Sequence, residues 1–253
     1  MSKAPDWRLL QGDVREVLRE VPDESIQVVV TSPPYWGLRD YQVPGTVWGG
    51  DPECQHEWGP TERGRRKDVR PRGPSRAGRL GTHARATGQN DGGRFCKHCG
   101  AWFGSLGLEP TPELYVEHLV FIFREVGRAL RTDGTAFVVI GDSYNGSGGS
   151  GGDYSAGGLR EGQPSYPGRS VSGLKRKDLI GIPWMVAFAL RDDGWYLRKD
   201  IIWYKEAPMP ESPQDRPSSA HEYIFLLAKS ARPYWDRAGF QERAVSDHSS
   251  GNG

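Results

Sequence analysis

The apolar positions of this chain switch repeatedly between a helical and a strand-like period, and the switches mark out its elements. A short apolar stretch at residues 7–11 reads as a strand ending at Gly12-Asp13, after which Val14, Val17, Leu18 and Val21 recur at helical spacing until Pro22-Asp23 closes them. Residues 28–31 (Val-Val-Val-Thr) form a β-branched run that reads as a buried strand, halted by Pro33-Pro34. Thr111-Pro112-Glu113 starts a helix whose apolar face is Tyr115, Leu119, Ile122, Val126 and Leu130, with Asp133-Gly134 as its expected end. A buried strand follows at 135–140, then Gly141-Asp142. A further helix carries Leu179, Ile182, Val186, Ala189 and Leu190 and stops at Asp193-Gly194. Strands are expected at 195–204 and 223–228, separated by a proline-stiffened corner around Pro208 to Ser212. Strands alternating with helices give an α/β fold, in which ligands sit beyond the carboxyl ends of strands.

Residues 45–106 break this rhythm. They are rich in Gly, Pro and Arg, have little aliphatic periodicity and are not expected to build a core of their own. Cys54-Gln55-His56 stands at one end and Cys96-Lys97-His98-Cys99-Gly100 at the other, so Cys54, His56, Cys96 and Cys99 form a Cys3His set suited to structural zinc, with His98 competing for the fourth place. A metal there would staple a loop that burial alone cannot close; the alternative is free cysteines in a loose insertion. Residues 61–95 hold ten Lys/Arg against three acids. That run is either a phosphate-contacting arm or a merely solvated basic loop. Residues 145–172 are a Gly/Ser-rich loop holding Tyr154 and Tyr166, either functional or disordered.

Bulk properties add limits. The 253 residues suffice for one core plus an inserted subdomain, and 34 Gly with 19 Pro leave much of the length to loops. The net charge of +1 advertises no global affinity for nucleic acid. No apolar stretch is long enough to span a bilayer and no signal-peptide core is present. Three cysteines, two in a Cys-x-x-Cys, fit metal binding in a reducing cytoplasm better than a disulfide framework.

The chemistry concentrates at Thr31-Ser32-Pro33-Pro34-Tyr35-Trp36. Two prolines end the strand and leave carbonyls with no neighbouring N–H to pair with. A hydroxyl, a carbonyl and a phenol ring at one corner suit a planar base with an amino group: the oxygens accept from the NH2 and the ring stacks. The alternative is a Pro-rich turn or a peptide ligand. Asp142, at the end of a strand, is a second candidate for the rim of such a site, or a loop cap.

Thr-Ser-Pro-Pro-Tyr-Trp after an apolar strand resembles the catalytic motif of the S-adenosylmethionine-dependent DNA amino-methyltransferases, and of their phage-type beta group in particular. Asp-Ile-Ile-Trp-Tyr-Lys (200–205) and His-Glu-Tyr-Ile-Phe-Leu-Leu (221–227) resemble late motifs of the same family. The resemblance implies a Rossmann-like methyltransferase sheet of strand order 3-2-1-4-5-7-6. Here that sheet is incomplete and carries the Cys/His-bracketed insertion: residues 1–44 start the catalytic domain, 45–106 are the insertion, 107–236 the remainder and 237–253 a tail. No segment resembles the family's Asp-Pro-Phe-x-Gly-x-Gly cofactor loop or its strands 1 and 2. The strand at 7–11 is then expected either beside the Pro-Pro-Tyr strand or at a raw edge, with the rest of the enzyme lost or supplied by a second polypeptide. The resemblance further implies double-stranded DNA as partner, in a restriction–modification setting, with methyl transfer to the exocyclic amine of a flipped base. Ser32, Pro33, Pro34 and Tyr35 would be catalytic. Asp13, Thr31 and Asp142 would contact S-adenosylmethionine, although Asp13 is equally suited to a helix N-cap. Trp203, Lys205, Pro210, Glu211 and Ser212 are candidates for the pocket edge, with core packing the better reading of Trp203. Serine before Pro-Pro leans toward cytosine N4 over adenine N6. A non-catalytic DNA-binding module, or one half of a heteromeric enzyme, are the rivals.

Overall fold

The protein is described from a computed structural model over residues 7–38, 41, 43–60, 93–146, 171–208, 211 and 214–240. Its main sheet has four strands: β1 (Ile26–Thr31), β5 (Leu130–Ile140), β6 (Tyr196–Tyr204) and β7 (His221–Ala228), in the order β1-β5-β7-β6. β1 runs parallel to β5, and β7 runs antiparallel to both of its neighbours. That order is the 4-5-7-6 portion of the family sheet, so the α/β expectation holds. One functional consequence is immediate: the carboxyl ends of β1, β5 and β6 and the amino end of β7 share one rim.

Helices α2 (Pro112–Ala129) and α3 (Ile182–Asp192) cover the sheet face that carries Val29, Ala136, Val138, Ile140 and Leu227. Proline sits in the first turn of each helix, where a missing N–H costs nothing. Thr111 caps α2 by accepting from the Leu114 amide. Phe123 meets Trp195 edge-on at 6.0 Å between ring centres, tying α2 to the approach to β6.

A second sheet is built from the insertion: β2 (Thr46–Trp48), β3 (Arg94–Phe95) and β4 (Trp102–Gly104), in the order β2-β4-β3. Its Trp48 and Trp102 are buried and join the main core beside Tyr115 and Leu119 of α2. The insertion thus borrows the core of the main sheet instead of making one.

Several elements differ from the sequence expectation. Residues 7–11 form no strand, and Trp7 and Leu9 are 80% and 83% exposed. Among the described residues no strand pairs with the outer edge of β1, so the stretch has no ladder to join. β1 is correspondingly half-buried: Val28 and Val30 stand exposed on the face that no helix among the described residues covers. The helix after Asp13 is only α1 (Val14–Val17) followed by a 3-10 turn, Leu18–Glu20. α2 ends at Ala129, not at Asp133-Gly134, because Leu130 already pairs with Ile26 and the register then slips before Thr135 meets Val28. α3 begins at Ile182; Leu179 lies before it in a bridge to Tyr144. Trp203 is 52% exposed, which overturns its reading as a core residue. The basic run at 61–92, Tyr154, Tyr166, Pro210 and Ser212 lie outside the described residues, and no helix among those described is long and apolar enough to cross a membrane.

Truncating Phe123, 2% exposed, to alanine should cost about 3–5 kcal/mol in urea unfolding. Val30→Thr, on the open face, should stay within about 0.5 kcal/mol.

Candidate active site and metal centre

At the shared rim, the corner after β1 brings four polar side chains into line. Ser32 Oγ donates to the Tyr35 hydroxyl at 3.4 Å, and that hydroxyl donates to Glu222 Oε2 at 3.3 Å. Lys205 Nζ holds the other Glu222 oxygen at 2.5 Å. Ser32 is exposed and Tyr35 half-buried, so neither is lost in the core. Burial, then the nearby Glu222 charge, raises the Tyr35 phenol above its ordinary value, although Ser32 opposes them; the hydroxyl stays protonated at neutral pH. The Tyr35 ring lies against Gly141 at the end of β5: a Cβ there would stand 2.5 Å from the ring. Glycine is needed at that position for space.

The two proline carbonyls are not equivalent. Tyr115 of α2, fully buried, donates its hydroxyl to the Pro34 carbonyl at 2.8 Å. The expectation of two unpaired carbonyls is corrected accordingly, because a buried carbonyl needs a donor. No hydrogen bond to the Pro33 carbonyl is found among the described residues. Ser32, Pro33 and Tyr35 therefore form the open part of the corner and Pro34 its fixed part.

The acids expected near the cofactor are engaged internally. Asp13 caps α1 by accepting from the Arg15 amide and also binds the Arg15 guanidinium at 2.6 Å, while Arg15 lies over the Trp48 ring at 3.9 Å. Asp142 accepts from the amides of Ser143, Gly181 and Ile182, which fixes the start of α3; burial, opposed by those three bonds, raises its carboxyl above the ordinary range. Thr31 stands at the end of β1, opposite Val138. Of the late-motif candidates, Lys205 reaches the corner through Glu222. Glu211 instead binds Arg216 and the Ser219 amide, away from the corner residues.

The Cys/His group converges. One ligand atom from each of Cys54, His56, Cys96 and Cys99 lies within 4.8 Å of all the others. Cys54 Sγ is 3.9 Å from Cys96 Sγ, and Cys99 Sγ is 3.4 Å from His56 Nδ1. A tetrahedral zinc with ordinary bond lengths would space two sulfurs about 3.8 Å apart and a sulfur and a nitrogen about 3.5 Å apart. His98 is turned outward to Glu57, and it is His56 that joins the three cysteines in the group. Burial, then hydrogen bonds that the Cys54 thiol gives to Cys99 and Cys96, pushes it up to about 12. At Cys96 burial acts upward too, but the Cys99 and His98 amides and the His56 ring bring it down to about 5.

A family model described as DNA methylase, for N6 and N4 methyltransferases, matches residues 26–249. The chain belongs to the DNA methylase family. The type II methyltransferase M.Cfr9I of Citrobacter freundii is 35% identical over 245 residues, which cover 94% of this chain and 59% of that protein. M.SmaI of Serratia marcescens is 36% identical over 250 residues, covering 96% and 63%. The chain thus spans about three fifths of the length of these curated relatives. The solved cytosine-N4-specific PvuII DNA methyltransferase aligns at a TM-score of 0.43 and 17% identity over 89% of this chain and 50% of that one, a likeness too low to bear on function.

Glu222 was singled out by no chemical signal in the sequence beyond its place in a late motif, and Gly141 and Tyr115 read as a loop residue and an apolar helix position. Replacing Tyr115 by phenylalanine should cost about 1–3 kcal/mol in a denaturant melt, since it orphans the Pro34 carbonyl. The Arg15 hydrogen bond holds the Asp13 carboxyl below its ordinary 3.8, against burial. The folded form thus binds that proton less readily than the unfolded chain, so the contribution is present above the ordinary value and lost as pH falls through the lower folded one. The Tm gap between wild type and Asp13→Asn should therefore be constant from about pH 5 to 8 and close below about pH 4.

Proposed function

We propose that this chain carries the base-holding half of a DNA amino-methyltransferase site, with cytosine N4 as the favoured target and adenine N6 the alternative. The observation that carries the reading is the Ser32–Tyr35–Glu222 hydrogen-bond chain standing beside an open Pro33 carbonyl at the rim of the sheet. An exocyclic amine is a poor nucleophile because its lone pair is delocalised into the ring. Accepting its two hydrogens at Ser32 Oγ and the Pro33 carbonyl draws the nitrogen toward sp3 and frees the lone pair. S-adenosylmethionine, when bound, supplies an electrophilic sulfonium methyl, and Asp13, Thr31 and Asp142 are the candidate contacts to it. The methylated nitrogen must shed one proton, and the path Ser32 to Tyr35 to Glu222 gives it a route to a carboxylate. Such an amine is paired inside a duplex, so the base must be flipped before the corner can reach it, with Tyr35 stacking on its face.

We further propose that Cys54, His56, Cys96 and Cys99 hold a structural zinc. The tetrahedral spacing supports it, and a divalent cation would relieve the burial of several thiols at one point.

The methylation test uses the full chain, duplex DNA of mixed sequence and S-adenosylmethionine labelled in the methyl group, with digestion to nucleosides. N4-methylcytosine is the expected product. N6-methyladenine would overturn the base assignment, and the absence of any labelled nucleoside would overturn the functional reading. Ser32→Ala should lower the rate by about 10²-fold, comparable to removing one preorganised hydrogen-bonding group from a transition state. Tyr35→Ala should weaken binding of a duplex with an unpaired target base by about 1–3 kcal/mol. Metal analysis of the purified chain should return about one zinc, kept in His98→Ala and lost in His56→Ala; retention in the latter would sink this ligand set.

A further inference from the structure

The small Cys/His sheet and the Pro-Pro-Tyr corner are joined by a continuous set of buried contacts, most of them polar. Glu109 is fully buried between the two. Its Oε1 accepts from His118 Nδ1 at 2.9 Å and its Oε2 from the Gly107 amide at 2.8 Å, while its own carbonyl accepts from the Trp36 indole at 3.0 Å. Gly107 in turn accepts from the Gly37 amide at 2.8 Å. The Gly107 backbone has φ +88, and a Cβ there would stand 3.2 Å from both the Pro34 ring and the Tyr35 carbonyl. The Gly107 turn is thus pressed against the corner from below.

On the other side, His118 stacks on Trp48 at 4.3 Å and lies 5.3 Å from Trp102. These two tryptophans are register partners in β2 and β4. β4 begins directly after the Cys-x-x-Cys turn, where the Cys96 amide donates to the Ala101 carbonyl at 2.7 Å.

We infer that Glu109 and His118 are positioning residues through which the Cys/His sheet holds the Pro-Pro-Tyr corner in place. A carboxylate without a free lone pair to solvent needs all its donors fixed, so its orientation is set by His118 on one oxygen and shared with Gly107 on the other. His118 is held by the stack of Trp48 and Trp102. Loosening the small sheet releases the ring, then the carboxylate and the Gly107 amide bound to it, and with the Glu109 backbone the Trp36 indole under the corner. In this arrangement the insertion serves the geometry of the site, whatever its basic stretch does. The effect on methyl transfer rests on the proposed function; the mechanical coupling does not.

The experiment is amide hydrogen exchange of the full chain, read by mass spectrometry on peptides covering Gly37-Leu38 and on peptides from β5 and β7. Trp48→Leu should accelerate exchange at Gly37 and Leu38 about 10-fold while β5 and β7 are unchanged. Glu109→Ala should do the same, and the double variant should be no faster than Glu109→Ala, as expected of residues on one path. Glu109→Gln, which still accepts from Gly107, should stay within about 3-fold of wild type and serves if the alanine variant does not fold. Unchanged exchange at Gly37 in Trp48→Leu, with the small sheet itself exchanging faster, would overturn the coupling. Where methyl transfer is measurable, Glu109→Ala should lower kcat with the KM for S-adenosylmethionine unchanged. If wild type shows no transfer but the exchange pattern holds, the functional reading fails and the coupling stands.

Discussion

A strand that ends in two prolines creates a local problem of unpaired carbonyls, and much of the surrounding structure is arranged to solve it. Proline gives no N–H to a ladder, so β1 must stop, and the peptide groups of the corner have to find donors elsewhere. α2 meets one of them with the Tyr115 hydroxyl. The position of α2 against β5 is what brings that hydroxyl within reach, and Gly107 lets the backbone before α2 approach the corner closely. What remains open, the Pro33 carbonyl and the Ser32 hydroxyl, is the portion with chemistry left to offer.

Polar burial is the second theme. Glu109 and His118 lie in a region otherwise built of tryptophan, tyrosine and leucine, where both Glu109 carboxylate oxygens and His118 Nδ1 are paired, while the buried Trp102 indole nitrogen has no partner among the described residues. A half-satisfied group in such a place would cost more than it contributes. The same logic holds at Asp142, whose half-buried carboxylate collects three backbone amides at the start of α3 and beside it. These groups position backbone, which is why they cluster next to the rim and not across the sheet face.

Legibility from sequence followed the range of the interactions. The strand at 26–31, the long helix after Thr111, the last strand and the Pro-Pro-Tyr corner were all visible, since period, capping residues and proline act within a few positions of chain. The Cys3His group was visible too, because thiols and imidazoles at those spacings have few other uses. Trp203 misled because aromatic content signals burial only when something covers the face on which it sits. Residues 7–11 misled for the same reason at a strand edge: an apolar stretch becomes a strand only with a partner.

The order of residues alone determined where chains of local preference begin and stop: which segments alternate, where helices are capped, and that the backbone after Thr31 cannot continue as a strand. Those are consequences of φ restriction, side-chain branching and hydrogen bonds to near neighbours. Only the folded arrangement decided that β7 inserts antiparallel between β5 and β6, and hence that Glu222 comes to the rim beside Tyr35, 187 residues away in sequence. It likewise decided that His118 is wedged between two tryptophans from the insertion. Contacts of that length depend on strand order and on which face of a helix is turned inward, and neither is written in any single window of the chain.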